Sequence, residues 1–374
     1  MQKLREVTAF FALLRAGLWE EKASLSPSRI DLSAVYQLAE SQSVVGLIAA
    51  GIENLDGFYF SKVNVLPFTT SVYLTEKRNI AMNAFIELLM KKFYSYEVCP
   101  LLVKGQGIAQ CYERPLWRSS GDVDLLVNSV IYENAKAILS SLSNSIGEDS
   151  PKTKHFSVRM NSWCVELHGT LRGQLGRRID KVIDEVQSHT FELNQKRTWQ
   201  NGDTLVYLPC PDNDVYFVFT HILQHFFRGG IGLRQLCDLC RLLWTYKDSI
   251  DKEMLLSRLK EAHIMTEWKV FAALFVNWLG MPIEAVPLYD ASSYWRRKAS
   301  RVISYILEMG NFGQNRDNSY QKTTNVIARK FISFFRSTND SLRILFIFPF
   351  DSISIWFVKF GIGLRENWGS ETTL

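Results

Sequence analysis

Two aspartates in Gly121-Asp122-Val123-Asp124-Leu125-Leu126-Val127 have the type and spacing to hold a divalent cation. Side chains at i and i+2 of a strand point to one face. Both carboxylates therefore project together from the end of a strand whose continuation, Leu125 to Val127, runs into a core. Mg²⁺ takes oxygen ligands and is usually held by one or two carboxylates plus substrate phosphates. A solvated surface turn can also contain Asp-x-Asp, but it would not need the apolar run that follows. A third carboxylate lies downstream. Phe156, Val158 and Met160 alternate with His155, Ser157 and Arg159. After Asn161-Ser162, Trp163, Val165 and Leu167 alternate with Cys164, Glu166 and His168. This pattern predicts a hairpin with one apolar and one polar face. Glu166 lies on the polar face. There it either completes a three-carboxylate cluster with Asp122 and Asp124 or is a half-exposed strand residue.

The elements that would position these groups begin upstream. Pro100-Leu101-Leu102-Val103 reads as a short buried strand, Lys104-Gly105-Gln106-Gly107 as the turn after it, and Ile108 to Glu113 as a helix start. A glycine turn between strand and helix exposes backbone N–H groups where the helix dipole favours phosphate. The spacing is not that of a P-loop. Arg118 precedes the Asp-x-Asp strand, either to neutralise phosphate or to orient Asp122 or Asp124 through a salt bridge. Ile131–Leu142 follows as a helix.

Strand, Lys104-Gly105 turn, helix, Arg118, Asp122-x-Asp124 strand, helix and Glu166 hairpin occur in an order that resembles the nucleotidyltransferase superfamily with the DNA polymerase β-like fold. The resemblance is to its bacterial branch, often labelled nucleotidyltransferase family protein. The segments Leu102 to Gly105, Arg118 to Val127 and Val165-Glu166-Leu167-His168 are similar to that branch's signature. So are Leu13-Leu14-Arg15-Ala16, Leu38-Ala39-Glu40 and Gly229-Gly230-Ile231-Gly232-Leu233-Arg234-Gln235-Leu236-Cys237-Asp238. The resemblance spans residues 1 to about 245. One departure is plain: the superfamily's usual Gly-Ser turn is replaced by Lys104-Gly105-Gln106-Gly107, without a serine hydroxyl.

The resemblance implies transfer of an NMP group from an NTP, ATP among the candidates, to an acceptor hydroxyl. Asp122, Asp124 and Glu166 would be the catalytic and metal-binding residues for Mg²⁺ (or Mn²⁺). In such a site two ions about 3.5–4 Å apart stabilise the attacking and leaving oxygens. Lys104, Gly105, Gln106, Gly107 and Arg118 would bind the nucleotide phosphates. The alternative is a catalytically inactive binding or scaffold protein that kept the fold, docking a membrane or a partner through its tail. Three clustered carboxylates oppose that alternative, since they repel unless a cation is bound.

Further candidates for the substrate cleft are His168, His221, His225, Arg234 and Asp238. His221 and His225 are i, i+4 on one predicted helix face. They form either a polar stripe towards the cleft, a zinc pair lacking a third ligand, or ordinary surface or core histidines. Arg234, Asp238 and Arg241 share the face of another predicted helix. Arg before Asp is the weaker order for an i, i+4 ion pair, which favours substrate contacts.

With 374 residues, 47% hydrophobic and 22% charged, the chain is globular rather than disordered. A net charge of +5 suits an anionic substrate such as NTP without demanding nucleic acid, and no sequence-specific nucleic-acid contact is expected. Cys99, Cys111, Cys164, Cys210, Cys237 and Cys240 lack secreted-domain spacing, so reduced core thiols are expected. The run Val7–Leu14 is short and ends in Arg15. It reads as an amphipathic helix rather than a signal peptide, which predicts a cytoplasmic enzyme.

The expected fold class is α+β: a small mixed sheet flanked by helical units. The expected regions are 1–97, helical; 98–208, the nucleotidyltransferase core; 209–310, helical; and 311–374, linker and amphipathic tail. Asp212-Asn213-Asp214 is expected to cap the helix Val215–Phe227. Around Ser341–Arg365 the aromatics Phe346, Phe348, Phe350, Trp356, Phe357 and Phe360 are flanked by Arg343, Lys359 and Arg365. Pro349 and Asp351 interrupt the run, so a transmembrane helix is not expected. The tail either closes the core or makes a peripheral membrane or protein contact.

Overall fold

The computed structural model describes residues 2–23, 25, 30–56, 60–151, 153–191, 195–315 and 326–357. The chain opens with helices α1 (Gln2–Trp19), α2 (Leu32–Ser41), α3 (Val45–Glu53) and α4 (Lys62–Tyr94). α2 starts where the Asp31 side chain accepts hydrogen bonds from the backbone N–H groups of Ser33 and Ala34. α1 and α3 touch backbone to backbone. A Cβ on Gly17 would lie 1.8 Å from the Leu47 carbonyl oxygen, and one on Gly51 2.0 Å from that of Leu13. Only glycine permits this approach.

The middle of the chain builds β1 (Leu101–Val103), α5 (Gly105–Ala109), β2 (Val123–Leu126), α6 (Tyr132–Leu142), β3 (Ser145–Ser150), β4 (His155–Met160), β5 (Trp163–His168), α7 (Arg177–Thr190), β6 (Lys196–Asn201) and β7 (Thr204–Pro209). Five strands form one sheet in the order β1-β2-β5-β4-β3, and β6 and β7 pair separately. The β2–β5 pair is parallel and the other pairs are antiparallel. The α+β class with a small mixed sheet is thus as expected. The chain continues through α8 (Pro211–Arg228), α9 (Leu233–Thr245), α10 (Lys252–Glu261), α11 (Met265–Asn277), α12 (Ser293–Met309) and α13 (Val326–Leu345), and a last helix, α14, occupies 349–357.

Among the described residues two large cores and a small one of Leu101, Val103 and Leu126 hold these elements, and the large ones run across the regions expected from the sequence. Phe10, Leu13 and Leu14 of α1 and Ile48 of α3 share one core with Phe219, Phe226, Trp268, Phe271 and Ile303 of α8, α11 and α12. The second core places Met82, Ile86, Met90 and Phe93 of α4 and Ile138 and Leu139 of α6 against Leu125, Val158, Val165 and Leu167 of the sheet.

Local differences have local causes. The helix expected to start over 108–113 instead spans Gly105–Ala109, because Lys104 (φ +58°) and Gly105 (φ +43°) turn the chain immediately after β1, and residues 110–113 are turn and bend rather than helix. α8 begins at Pro211, well suited to a first helical turn, with Cys210 at its cap. Asp214 does not cap it. Its carboxylate is buried in an ion pair with Arg197. The edge strand β3 had no apolar alternation to reveal it; Ser145 to Asp149 are exposed.

The tail is divided. Phe348 is buried, stacked on Phe271 and edge-on to Phe226, and Asp351 is buried in an ion pair with Arg178. Phe346, Phe350 and Phe357 are exposed at 76%, 68% and 62%. Part of the tail therefore closes the core while three aromatics face outward. Residues 316–325 of the expected linker, and Lys359, Phe360 and Arg365 of the tail, lie outside the described residues. Among the described residues no helix is long and apolar enough to cross a membrane.

Candidate active site

The site is set by strand register. β2 and β5 run parallel with Asp124 opposite Glu166, and Leu126 opposite His168. Asp124 and Glu166 are therefore neighbours on one face of the sheet. Asp122, Asp124 and Glu166 line a single cleft of about 280 Å³, together with Lys104, Gly105, Arg118, His221, His225, Arg234, Asp238 and Phe312. A second lobe of about 360 Å³ opens on the other side of Glu166. It shares Lys104, His221 and His225 and adds His155, His168, Thr170, Arg172, Gln174, Thr220, Gln224 and Arg228.

Charge within the cleft is unevenly matched. Asp124 Oδ1 accepts from Lys104 Nζ at 3.0 Å and from His168 Nε2 at 3.1 Å. Burial disfavours its charge, but Lys104 and His168 outweigh burial and hold its pKa well below the usual carboxylate range. Glu166 accepts from His155 and lies beside His168, and these contacts bring it down to about 2. The same Glu166 contact raises His155. Asp122 is the exception. No hydrogen bond or ion pair holds its carboxylate among the described residues. Partial burial and the like charges of Glu166 and Asp124 push its pKa up. An anionic group kept beside two others gains from a cation, so these oxygen donors suit in kind the Mg²⁺ or Mn²⁺ that the sequence implied, although among the described residues the group with ligand atoms within 4.8 Å of one another is His155, Glu166 and His168.

Lys104 reaches Asp124 from a left-handed backbone conformation that a non-glycine residue rarely adopts. Such strain costs of order 1–3 kcal/mol. Gly105 lines the cleft. Gln106 and Gly107 do not: both are buried. The Gln106 amide donates to Asn79, and a Cβ on Gly107 would lie 2.8 Å from Leu208. Their assignment to phosphate is corrected accordingly, because the short α5 turns them into the protein.

Arg118 and Asp238 are also reassigned, to each other. Arg118 Nε and Nη2 donate to the two carboxylate oxygens of Asp238, each at 2.7 Å. Arg118 Nη1 bonds Ser119 O and Ser120 Oγ, and the Tyr112 hydroxyl donates to Asp238 at 2.7 Å. The pair is almost wholly buried. Arg118 thus neither orients Asp122 or Asp124 nor keeps its charge free for phosphate, and Asp238 is not a free substrate contact. Arg234 differs. Its Nη1 donates to Ser119 O at 2.8 Å, its Nε is buried without a partner, and no carboxylate among the described residues pairs with it. Burial and Arg118 lower its pKa.

His221 and His225 do face the cleft, with ring centroids 4.4 Å apart. Burial and Lys104 hold His221 well below its usual value and bring His225 to about 4, so both are neutral near pH 7. His225 packs edge-on to Phe312, whose ring is exposed at the cleft rim. Sequence reasoning passed over His155, Tyr112 and Phe312. For His155 a signal was present. A two-residue turn at Asn161-Ser162 pairs Met160 with Trp163 and therefore His155 with His168.

A comparison with curated proteins finds no match. Among solved structures the chain is similar to an antigenic nucleotidyltransferase-like protein from Paracoccidioides brasiliensis. The two are 15% identical with a TM-score of 0.31, over 55% of this chain and 95% of that one. A family model described as uncharacterised nucleotidyltransferase matches residues 28–280, well over half of the sequence and all of the cleft except Phe312. The cleft's carboxylates and the matched span agree: the chain belongs to this nucleotidyltransferase family.

Proposed function

We propose that the protein transfers an NMP group from an NTP to an acceptor hydroxyl, using Mg²⁺ (or Mn²⁺) held by Asp122, Asp124 and Glu166. The observation that carries this reading is the β2–β5 register, which puts Asp124 beside Glu166 with the unpartnered, charge-crowded Asp122 at the same cleft. When bound, the metal would screen the triphosphate and polarise its phosphoryl oxygens. The chain's own groups divide the remaining work. Arg234 offers a guanidinium without a carboxylate partner, suited to phosphate oxygens. Lys104 stands on Asp124, within reach of the same charges. Phe312 presents an exposed ring at the rim on which a base can stack. The neutral His221 and His225 form the wall common to both lobes. The second lobe, with Arg172, Gln174, Gln224 and Arg228, is the place for the acceptor.

The test is a panel of NTPs labelled at the α-phosphate, with Mg²⁺ or Mn²⁺ and sugar, small-molecule, protein and RNA acceptors. Asp122→Asn and Asp124→Asn are expected to reduce metal-dependent transfer to background while leaving the circular dichroism unchanged. Full activity in either variant would remove the carboxylates from the chemistry. Metal-dependent NTP binding with no transfer to any acceptor would favour the inactive scaffold instead.

A further inference from the structure

We infer that His155, Glu166 and His168 form a binding site for a divalent transition-metal ion, with Zn²⁺ the best-matched species, beside the carboxylates assigned to Mg²⁺. The inference shares Glu166 with the reading above but stands without nucleotidyl transfer.

Three observations carry it. The first is register. β4 and β5 pair His155 directly with His168, and Glu166 lies two residues before His168, so all three side chains leave the same face of the hairpin. The second is spacing. His155 Nε2 lies 3.3 Å and His168 Nε2 3.5 Å from the same oxygen, Glu166 Oε2, and one ligand atom from each residue falls within 4.8 Å of the others. Tetrahedral zinc with bonds of about 2.0–2.1 Å sets its ligand atoms about 3.3–3.4 Å apart. Two edges of such a tetrahedron are therefore nearly in place. The third is donor chemistry. Two imidazole nitrogens and one carboxylate suit Zn²⁺ and its neighbours, whereas Mg²⁺ demands oxygen.

The surroundings agree with an open, three-ligand site. All three residues line the larger lobe, which leaves room for a fourth ligand such as water or a substrate oxygen. The Glu148 carboxylate stands 3.7 Å from Nδ1 of His155, the nitrogen not directed at Glu166. A carboxylate on that side is how metal-bound imidazoles are commonly oriented. Asp124 Oδ1 is 3.1 Å from His168 Nε2, but Lys104 holds that oxygen at 3.0 Å. The ammonium therefore directs a cation to the Glu166 side. The competing explanation is that both imidazoles only donate hydrogen bonds to carboxylates. It predicts no metal affinity.

The experiment uses the full chain without a histidine tag, carrying Cys99→Ser because Cys99 is exposed. After chelator stripping, Zn²⁺ is titrated against a chromophoric competitor in excess Mg²⁺. One equivalent of Zn²⁺ should bind and resist Mg²⁺. His155→Ala and His168→Ala should each weaken binding by more than about a hundredfold, beyond what loss of an orienting partner gives. Asp122→Asn should leave zinc affinity unchanged while abolishing Mg²⁺-dependent NTP binding, which separates this site from the proposed catalytic one. Co²⁺ added to the chain with both histidines intact should show ligand-field bands without thiolate charge transfer, a readout independent of how the variants fold. Zinc binding that survives both histidine variants, a thiolate band, or affinity no greater than that for Mg²⁺ would overturn the assignment.

Discussion

Asp238→Asn tests the reassignment of Arg118 most sharply. Arg118 and Asp238 retain only 4% and 5% of their side-chain exposure and meet through two bonds of 2.7 Å. The substitution removes the negative charge and sets an amide NH₂ against one arm of the guanidinium. A full positive charge then remains in the core between α9 and the loop before β2. Breaking one side of a buried ion pair costs about 3–5 kcal/mol. A domain's whole stability is about 5–15 kcal/mol, so the denaturation midpoint should fall far. The Tyr112 hydroxyl, which donates to Asp238 Oδ1, can still bond the Asn carbonyl oxygen, so it does not add to the loss. Replacing both partners, Arg118→Met with Asp238→Leu, removes the stranded charge. That double variant is expected to be close to neutral or more stable. Urea unfolding followed by far-ultraviolet circular dichroism measures both. A loss below about 1 kcal/mol in Asp238→Asn would mean that the pair is solvated. Tighter NTP binding in that variant would mean that the freed Arg118 is a phosphate ligand after all. Either result refutes the structural role given to the pair.

Two other expectations concern pH and the tail. His225 has a folded pKa of about 4 against an ordinary 6.5, so the unfolded chain binds a proton that the native site refuses between those values. Stability should therefore fall as pH drops from 6.5 towards 4, by at most about 3 kcal/mol from this residue. His225→Gln should flatten that limb of a pH-resolved unfolding series, and an unchanged limb would show that His225 titrates normally. In the tail, Phe346, Phe350 and Phe357 point outward, and anionic vesicles should retain the chain at low salt and release it at high salt. Serine at all three positions should abolish retention; vesicles that ignore the unsubstituted chain would leave the tail only its core-closing role.

The positions that sequence reasoning placed well share one property: polar side chains set between buried apolar ones, strictly in β5 and up to Leu125 in β2. Val123, Leu125, Val165 and Leu167 are buried, while Asp124, Glu166 and His168 remain partly accessible on the other face. A strand with one wet and one dry face can hardly be misread, because a slip of one residue would bury every carboxylate. β3 and the Lys104–Gly107 turn carry no such constraint. β3 pairs with β4 and is tied to α6 through the Lys136–Asp149 ion pair, and the turn is held by two left-handed residues that no period announces.

Electrostatic partners were the least legible part, for a reason that Arg234 and Asp238 make concrete. Four residues apart on one helix, they invite either a local ion pair or joint contact with substrate. The structure does neither, because Arg118, 120 positions away, reaches Asp238 first. Once Asp238 is neutralised from outside the helix, Arg234 is left with a backbone carbonyl and an unsatisfied Nε at the cleft. A charge without a partner in a buried wall is costly unless a ligand supplies one. The long-range pair thus decides which arginine is structural and which faces the substrate. Local spacing cannot supply that distinction, because it arises only when the loop before β2 is laid against α9.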